Sequence, residues 1–314
     1  MELLSNPSTK VQFFVFTLSM HSSNFVFLQQ NQTIIHMKRL IFGLCSLFFL
    51  SSCGENVEKL AALRLDSARQ YFEKGDYNEA KIQIDSIKIL YPKAYETRQQ
   101  GIYLMQDIEL EEQQKSVHFL DSMLLIRKDE LAQMVGKFTF EKDEAYEQLG
   151  NYLWPTQVIE KNIHQTYLRF QVNVRGEMKM TSVYCGAPIH HTTIKVTAPD
   201  GTFAETPAAA DCYETKDLGK TLEYGDYKLG ADGGVISFVA LNKDKNLKVE
   251  FKGDRKHTVR MRPSDRVAAA SLYELHSVLA AVESLKKEKE EAEMKIRFVT
   301  KKIEERALKQ QQED

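Results

Sequence analysis

Charge of one sign is what this chain lacks most clearly: 42 Lys and Arg stand against 44 Asp and Glu in 314 residues, a net −2. No general attraction to nucleic acid or to anionic lipid follows from that balance. The familiar fingerprints of chemistry are missing too. There is no Gly-x-Ser-x-Gly elbow, phosphate-binding loop or dinucleotide fingerprint, and no Cys-x-x-Cys or His-Glu-x-x-His spacing. Asp226, Asp232 and Asp244 do not follow a calcium-loop spacing. Nothing raises catalysis above background, and no cofactor or metal is expected. Tryptophan occurs once, at Trp154, and cysteine four times. Cys45 and Cys53 lie in an N-terminal apolar region and Cys185 and Cys212 in one later segment, so they read as separate pairs.

What is present begins with an address. From Met37 the chain runs Met-Lys-Arg, then the apolar stretch Leu40–Leu50, then Ser51-Ser52-Cys53-Gly54. The stretch is too short to span a bilayer core of about 30 Å as a helix. Leu50-Ser51-Ser52-Cys53 resembles the lipobox of bacterial lipoproteins. That resemblance implies cleavage before Cys53, acylation of its thiol and a membrane anchor without a spanning helix. Residues 37–52 are then a signal peptide, with translation expected to start at Met37 and residues 1–36 a non-native leader. Gly54 is not the aspartate tied to inner-membrane retention, and Gly54-Glu55-Asn56 holds one acidic residue only. The expected place is therefore the periplasmic face of an outer membrane, ahead of the cell surface.

Residues 53–98 read as a tether and a helical hairpin. Leu60, Leu63, Ala68 and Tyr71 recur at helical spacing, Gly75-Asp76 breaks the pattern, and Ala80, Ile84 and Ile87 resume it before Pro92. Ala68, Tyr71, Gly75-Asp76-Tyr77, Ala80, Ile84, Ile87 and Pro92 resemble one tetratricopeptide repeat, with Arg64 and Ser67 in place of that family's early Trp and Leu. A single repeat must bury its face on something else.

Two stretches carry apolar heptads. Tyr103, Leu110, Val117, Leu120, Leu124, Leu131 and Met134 form one, within a long helix and junction helix over 99–162. Leu275, Val278, Val282, Leu285, Ala292, Ile296, Val299 and Ile303 form the other, within a C-terminal helix over 264–314, with Lys289 its one charged position. Each seam is about 48 Å long at 1.5 Å per residue. Their similar lengths predict antiparallel pairing within the chain; pairing between two copies, giving a homodimer, is the alternative.

Residues 163–263 change to a period of two. Leu168, Phe170, Val172 and Val174 alternate with polar residues, as do Leu247, Val249 and Phe251, and Met178–Tyr184, Thr193–Val196, Val235–Leu241 and Thr258–Met261 read as further strands. Turn signals fall at Arg175-Gly176, Pro199-Asp200-Gly201, Gly225-Asp226, Asp232-Gly233-Gly234 and Gly253-Asp254. The fold class expected is α+β: a helical hairpin, long antiparallel coiled-coil helices, and an inserted antiparallel β-sandwich or partly open barrel. Cys185 and Cys212 are candidates for a structural disulfide in an oxidising compartment. Buried free thiols, or a metal site shared with His190 and His191, are the other readings. His164 and Trp154 read as structural residues at a domain junction.

These features predict a non-enzymatic, lipid-anchored envelope protein that meets a protein partner through its coiled coil and hairpin. The alternative is a binding module whose β domain holds a glycan, peptide or small ligand. A hydrolase or thiol enzyme built on Cys185 and the neighbouring histidines is the third.

Overall fold

A computed structural model describes residues 52–144, 148–217 and 219–313. The expected leader and signal peptide lie outside the described residues, apart from Ser52 at the start of the first helix, and the Cys53 side chain also lies outside them. Among the described residues the fold is mixed: five helices, α1 (Ser52–Glu73), α2 (Tyr77–Leu90), α3 (Tyr95–Val135), α4 (Val235–Leu241) and α5 (Pro263–Glu313), accompany two antiparallel sheets. Among the described residues neither sheet closes into a barrel. No described helix is long and apolar enough to cross a membrane.

The chain divides into two compact units, with the boundary between Ile102 and Tyr103. In the first, α1 lies against α2 through small residues, Ala61, Ala68 and Ala80 all being fully buried, and Ile84 and Ile87 join them. Gly75, at φ +76°, makes the turn that only a residue without Cβ adopts freely. Asp76 caps α2 by accepting the Glu79 N–H at 3.2 Å. The Glu58 carboxylate accepts the Thr97 hydroxyl at 2.6 Å and the Glu96 N–H at 3.2 Å, so it serves the first turn of α3.

In the second unit, the α3 segment from Tyr103 onward and α5 run antiparallel. Asp107 meets Arg306 at 3.0 Å, whereas Asp121, further along α3, meets Lys289, earlier in α5, at 2.5 Å. Leu120 and Leu124 of α3 and Val282, Ala292 and Val299 of α5 are buried. The one charged position of the C-terminal seam thus has its own counterion.

One sheet has six strands in the order β1 (Thr139–Glu141), β2 (Asn151–Leu153), β3 (Tyr167–Asn173), β4 (Met178–Gly186), β8 (Lys220–Lys228) and β7 (Cys212–Asp217). The other has four: β10 (Lys256–Arg260), β9 (Lys248–Lys252), β5 (Thr193–Thr197) and β6 (Phe203–Glu205). Inward residues of both, including Leu168, Phe170, Met180, Ile194, Val249 and Phe251, share one hydrophobic core with α4 and the first half of α5. Alternation in β3 follows from this arrangement, Leu168, Phe170 and Val172 being buried while Arg169, Gln171 and Asn173 face outward.

The structure corrects the sequence reading in four places. Residues 235–241 form a helix, not a strand: Val235, Ile236, Val239 and Ala240 are its buried residues, and the pair-gap-pair spacing fits a helix face. A short apolar run is ambiguous by pattern alone, and Gly233-Gly234, both at positive φ, together with the Asp232 carboxylate accepting the Ile236 N–H at 2.6 Å, select the helix. Gly225-Asp226 is no turn but the middle of β8, with Gly225 opposite Ser182. Thr139–Glu141 and Asn151–Leu153 are two short strands that extend the large sheet, in place of the expected junction helix. Finally, α5 does not pair only with α3: Ala269, Leu272, Leu275 and Leu279 pack into the β core.

Candidate functional site: the outer face of the large sheet

Register fixes which side chains share the outer face of the six-stranded sheet, because directly opposed residues point the same way. One row reads Tyr167, Val183, Tyr224, Tyr213 across β3, β4, β8 and β7. The next reads Arg169, Thr181, Asp226, and the third Gln171, Lys179, Lys228. An aromatic row therefore lies beside two hydrogen-bonding rows. The tyrosines of β7 and β8 stack with ring centres 4.6 Å apart and planes 10° apart.

Three hollows of about 660, 590 and 450 Å³ open on this face, and all three are lined by Gln171 and Lys179. They meet at these two side chains, which mark out one trough. Gly176 (φ +83°) and His276 bound it at one end, where a Cβ on the glycine would lie 2.5 Å from the Ala280 backbone nitrogen of α5. Ile159, Asn162 and Ile163, around a short 3₁₀ turn, bound it at the other.

The charges along the trough are mostly neutralised within it. Arg169 meets Glu141 at 3.3 Å, Lys179 meets Asp226 at 3.0 Å and Lys142 meets Glu144 at 2.8 Å. Thr181 adds its hydroxyl to Asp226 at 2.5 Å. The Arg169 Nε is buried with no hydrogen-bond partner among the described residues, an arrangement that costs free energy unless an acceptor oxygen is supplied. Burial pushes the Tyr167 phenol up to about 12 and, with the charge of Asp226, raises that of Tyr213. Both keep their protons over the physiological range and can donate.

The inner face of the same strands holds a different cluster. Ser182 Oγ and His191 Nε2 share a hydrogen bond at 2.7 Å, His191 Nδ1 and Glu223 Oε2 share another at 2.9 Å, and the Ser182 hydroxyl is also within donating reach of the Gly225 carbonyl at 3.2 Å. Glu223 also accepts the backbone N–H groups of Ile189, His190 and His191 at 2.6, 3.0 and 3.0 Å. The connectivity is that of a nucleophile, base and orienting acid. Its setting is not: the three residues are 0%, 2% and 2% exposed, and none lines the three hollows of the outer face. What the carboxylate does is hold the crossing from β4 to β5, which links the two sheets.

The residues singled out in the sequence are scattered. Cys185 and Cys212 are both free, and a disulfide between them does not fit. Strand β8 lies between their strands, and Cys185 sits opposite Leu222 whereas Cys212 sits opposite Gly225. Two strand spacings and three residues of register put them on the order of 14 Å apart, and the odd offset turns them to opposite faces. A disulfide needs Cα atoms within about 7 Å. Neither cysteine is buried: Cys185 is half-buried and Cys212 exposed, its thiol 3.8 Å from the His191 carbonyl oxygen.

The two adjacent histidines part company. His191 is buried beside Glu223, whereas His190, at φ +50°, is exposed with Nδ1 2.6 Å from Asp254. Among the described residues no group of three or more His, Cys, Asp or Glu side chains is placed to hold a metal ion. His164 pairs with Asp217 at 2.9 Å beside the trough. Trp154 packs edge-on to Phe138 against the core.

No known protein family, curated protein or solved structure matches this chain.

Sequence reasoning missed Arg169, Tyr213, Tyr224 and Asp226. The signal for them is the polar half of the β3 alternation, Arg169-x-Gln171-x-Asn173, which faces outward. Strands β7 and β8 carried no apolar alternation strong enough to put the tyrosines beside it.

Proposed function

We propose that this chain is a lipid-anchored, non-enzymatic cell-envelope protein whose β domain holds a ligand in the trough on its outer face. One observation carries the reading: three hollows share Gln171 and Lys179 on a floor of interior strands, with polar side chains already held in place. Sites of this kind, concave and largely preformed, are the usual form of ligand recognition. The anchor rests on the lipobox at Leu50–Cys53, and the periplasmic face of an outer membrane is the placement it favours. The two sheets are read as halves of a sandwich around their common core, and α1 with α2 as a repeat-like hairpin.

This ordering reverses the sequence preference for a coiled-coil scaffold, for a physical reason. Leu120, Leu124, Val282, Ala292 and Val299 are already buried in the chain's own α3–α5 pair, so that seam offers little to a partner or a second copy. A protein partner on the helical pair remains the second reading. Leu63 of α1 and Ile89 of α2, 65% and 75% exposed, are apolar side chains that such a partner could cover.

The test is thermal stabilisation of the chain from residue 54 onward by candidate envelope ligands. A ligand that binds only the folded form raises the melting temperature in proportion to the logarithm of its concentration over Kd. Arg169→Gln should reduce the shift; a shift left unchanged by this substitution places the ligand elsewhere. Mass spectrometry of the processed N-terminus from native membranes tests the anchor, and an unacylated, uncut chain would refute it.

A further inference from the structure

The trough's chemistry also narrows its ligand. Resting on the reading that the trough binds a ligand at all, we infer that it takes a neutral saccharide, its ring faces against the Tyr213–Tyr224 stack and its hydroxyls on the Arg169–Thr181–Asp226 row.

Three observations converge on that class. The first is the pattern of charge. The basic groups Arg169, Lys179 and Lys142 each have a carboxylate partner at 3.3 Å or less within the trough, and acidic side chains outnumber basic ones in its lining, so no cationic field remains to recruit an anion. Paired cations and carboxylates instead present donors and acceptors side by side, which is what neighbouring hydroxyl groups, each both donor and acceptor, can satisfy together.

The second is the unmet demand at Arg169. Its Nε is buried without a partner while the same guanidinium is held from the far side by Glu141. It needs an uncharged acceptor oxygen that can enter without bringing a second carboxylate next to Glu141 and Asp226. A sugar hydroxyl or ring oxygen meets that condition.

The third is the floor. Strands β3, β4 and β8 are interior to the sheet, so their backbone N–H and C=O groups are used in the ladder. A peptide strand could add itself to the sheet only at the free edge of β7, to the side of the Arg169–Thr181–Asp226 row and not over it. A flat ring with one apolar face does better. Tyr213 is 48% exposed and Tyr224 partly so, which leaves aromatic surface beside the polar row for C–H groups to cover.

Calorimetric titration of the chain from residue 54 onward tests this, using cello-, malto- and manno-oligosaccharides, an oligogalacturonate and a capped polar hexapeptide. The expected result is saturable binding of at least one neutral oligosaccharide, unchanged by high salt because no net charge attracts it. Tyr213→Ala should weaken it about three- to ten-fold through loss of ring contact. Arg169→Gln should weaken it by roughly ten-fold or more through loss of charge-assisted hydrogen bonds. Circular dichroism melting checks that both variants remain folded.

Binding confined to the oligogalacturonate or the peptide, and lost in Arg169→Gln, would overturn the saccharide class while leaving the trough as a ligand site. Neutral oligosaccharide binding that ignores both substitutions would overturn this location. No binding by any probe would count against both readings.

Discussion

The two faces of β4 and β8 carry comparable amounts of polar chemistry and use it in opposite ways. Inward, Ser182, His191 and Glu223 form a closed chain in which hydrogen-bonding groups meet one another and water is excluded. Outward, Thr181 and Lys179 of β4, Asp226 of β8 and the neighbouring Arg169 of β3 lie in an open trough with a guanidinium nitrogen unserved. A buried polar network stabilises only when complete, and removing one member then leaves the rest desolvated and unpaired. Exposed pairs lose little when broken because water replaces the partner. The difference predicts that the inner face governs stability and the outer face governs recognition.

The largest expected effect is therefore at Glu223. Glu223→Ala leaves the N–H groups of Ile189, His190 and His191 and the His191 ring without their acceptor. The expected cost is about 3–5 kcal/mol, in the range of a broken buried charged network. Urea denaturation measures it. A loss under about 1 kcal/mol would mean that water reaches the cluster and the contrast between faces is wrong.

Gly225 comes next, since it is where the two faces share one residue. A Cβ there would sit 3.0 Å from Ser182 Oγ and 3.2 Å from the Tyr227 hydroxyl. Gly225→Ala should cost about 1–3 kcal/mol as an overpacked substitution. Its absence of a side chain, rather than any turn, explains this glycine. If the alanine variant proves as stable as the parent in the same urea titration, the inner cluster has room to spare.

Acid should separate the faces by a smaller amount. Burial holds the His191 pKa below its ordinary 6.5, outweighing the opposite pull of Glu223. The unfolded chain therefore takes up a proton there before the folded chain does. Stability from this group is complete above about pH 6.5 and is lost as the pH falls toward the depressed value, at no more than about 1.4 kcal/mol per pH unit for one proton. Burial would raise Glu223 as well, but hydrogen bonds from the backbone and ring of His191 and from the backbone of His190 and Ile189 outweigh it and bring its pKa below 4.5, so its loss follows at lower pH with the same sign. His190, raised chiefly by its hydrogen bond to Asp254, works in the other direction on the surface. Residue-resolved NMR titration distinguishes them: His191 should take up its proton at lower pH than His190, and the reverse order would invert the assignment of inner and outer roles.

How much of this was legible in the residues depends on whether a local pattern existed. Leu168-x-Phe170-x-Val172 announced β3 because one face of that strand is uniformly apolar. Gly75-Asp76 announced the turn before α2 because positive φ and a cap are local needs. The inner cluster was invisible: Ser182, His191 and Glu223 come from two strands and a crossing, and they meet only through the register of β4 on β8. Strand β7 was invisible for another reason. All six of its residues are exposed, so nothing in Cys212–Asp217 had to alternate. The trough inherits that gap, since Tyr213 comes from this strand and Tyr224 from its neighbour. The disulfide expectation failed on the same point, because closeness in sequence says nothing about which strand is placed between two others.

The smallest expected effect on stability is also the sharpest test of the contrast. Lys179 and Asp226 form an ion pair at 3.0 Å with side chains 33% and 26% exposed, and Thr181 reinforces the carboxylate. Geometry alone would suggest a strong structural bond. Solvent reaches both partners, however, and holding a long lysine in place costs side-chain entropy, so a double-mutant cycle with Lys179→Met and Asp226→Asn should return a coupling of roughly 0.2–1 kcal/mol. The same single substitutions should weaken any trough ligand, because Lys179 borders all three hollows. Small coupling with a clear loss of binding is the signature of a polar surface kept for recognition. A coupling near the cost of Glu223→Ala, with binding unchanged, would instead make this face structural and leave the trough without a role.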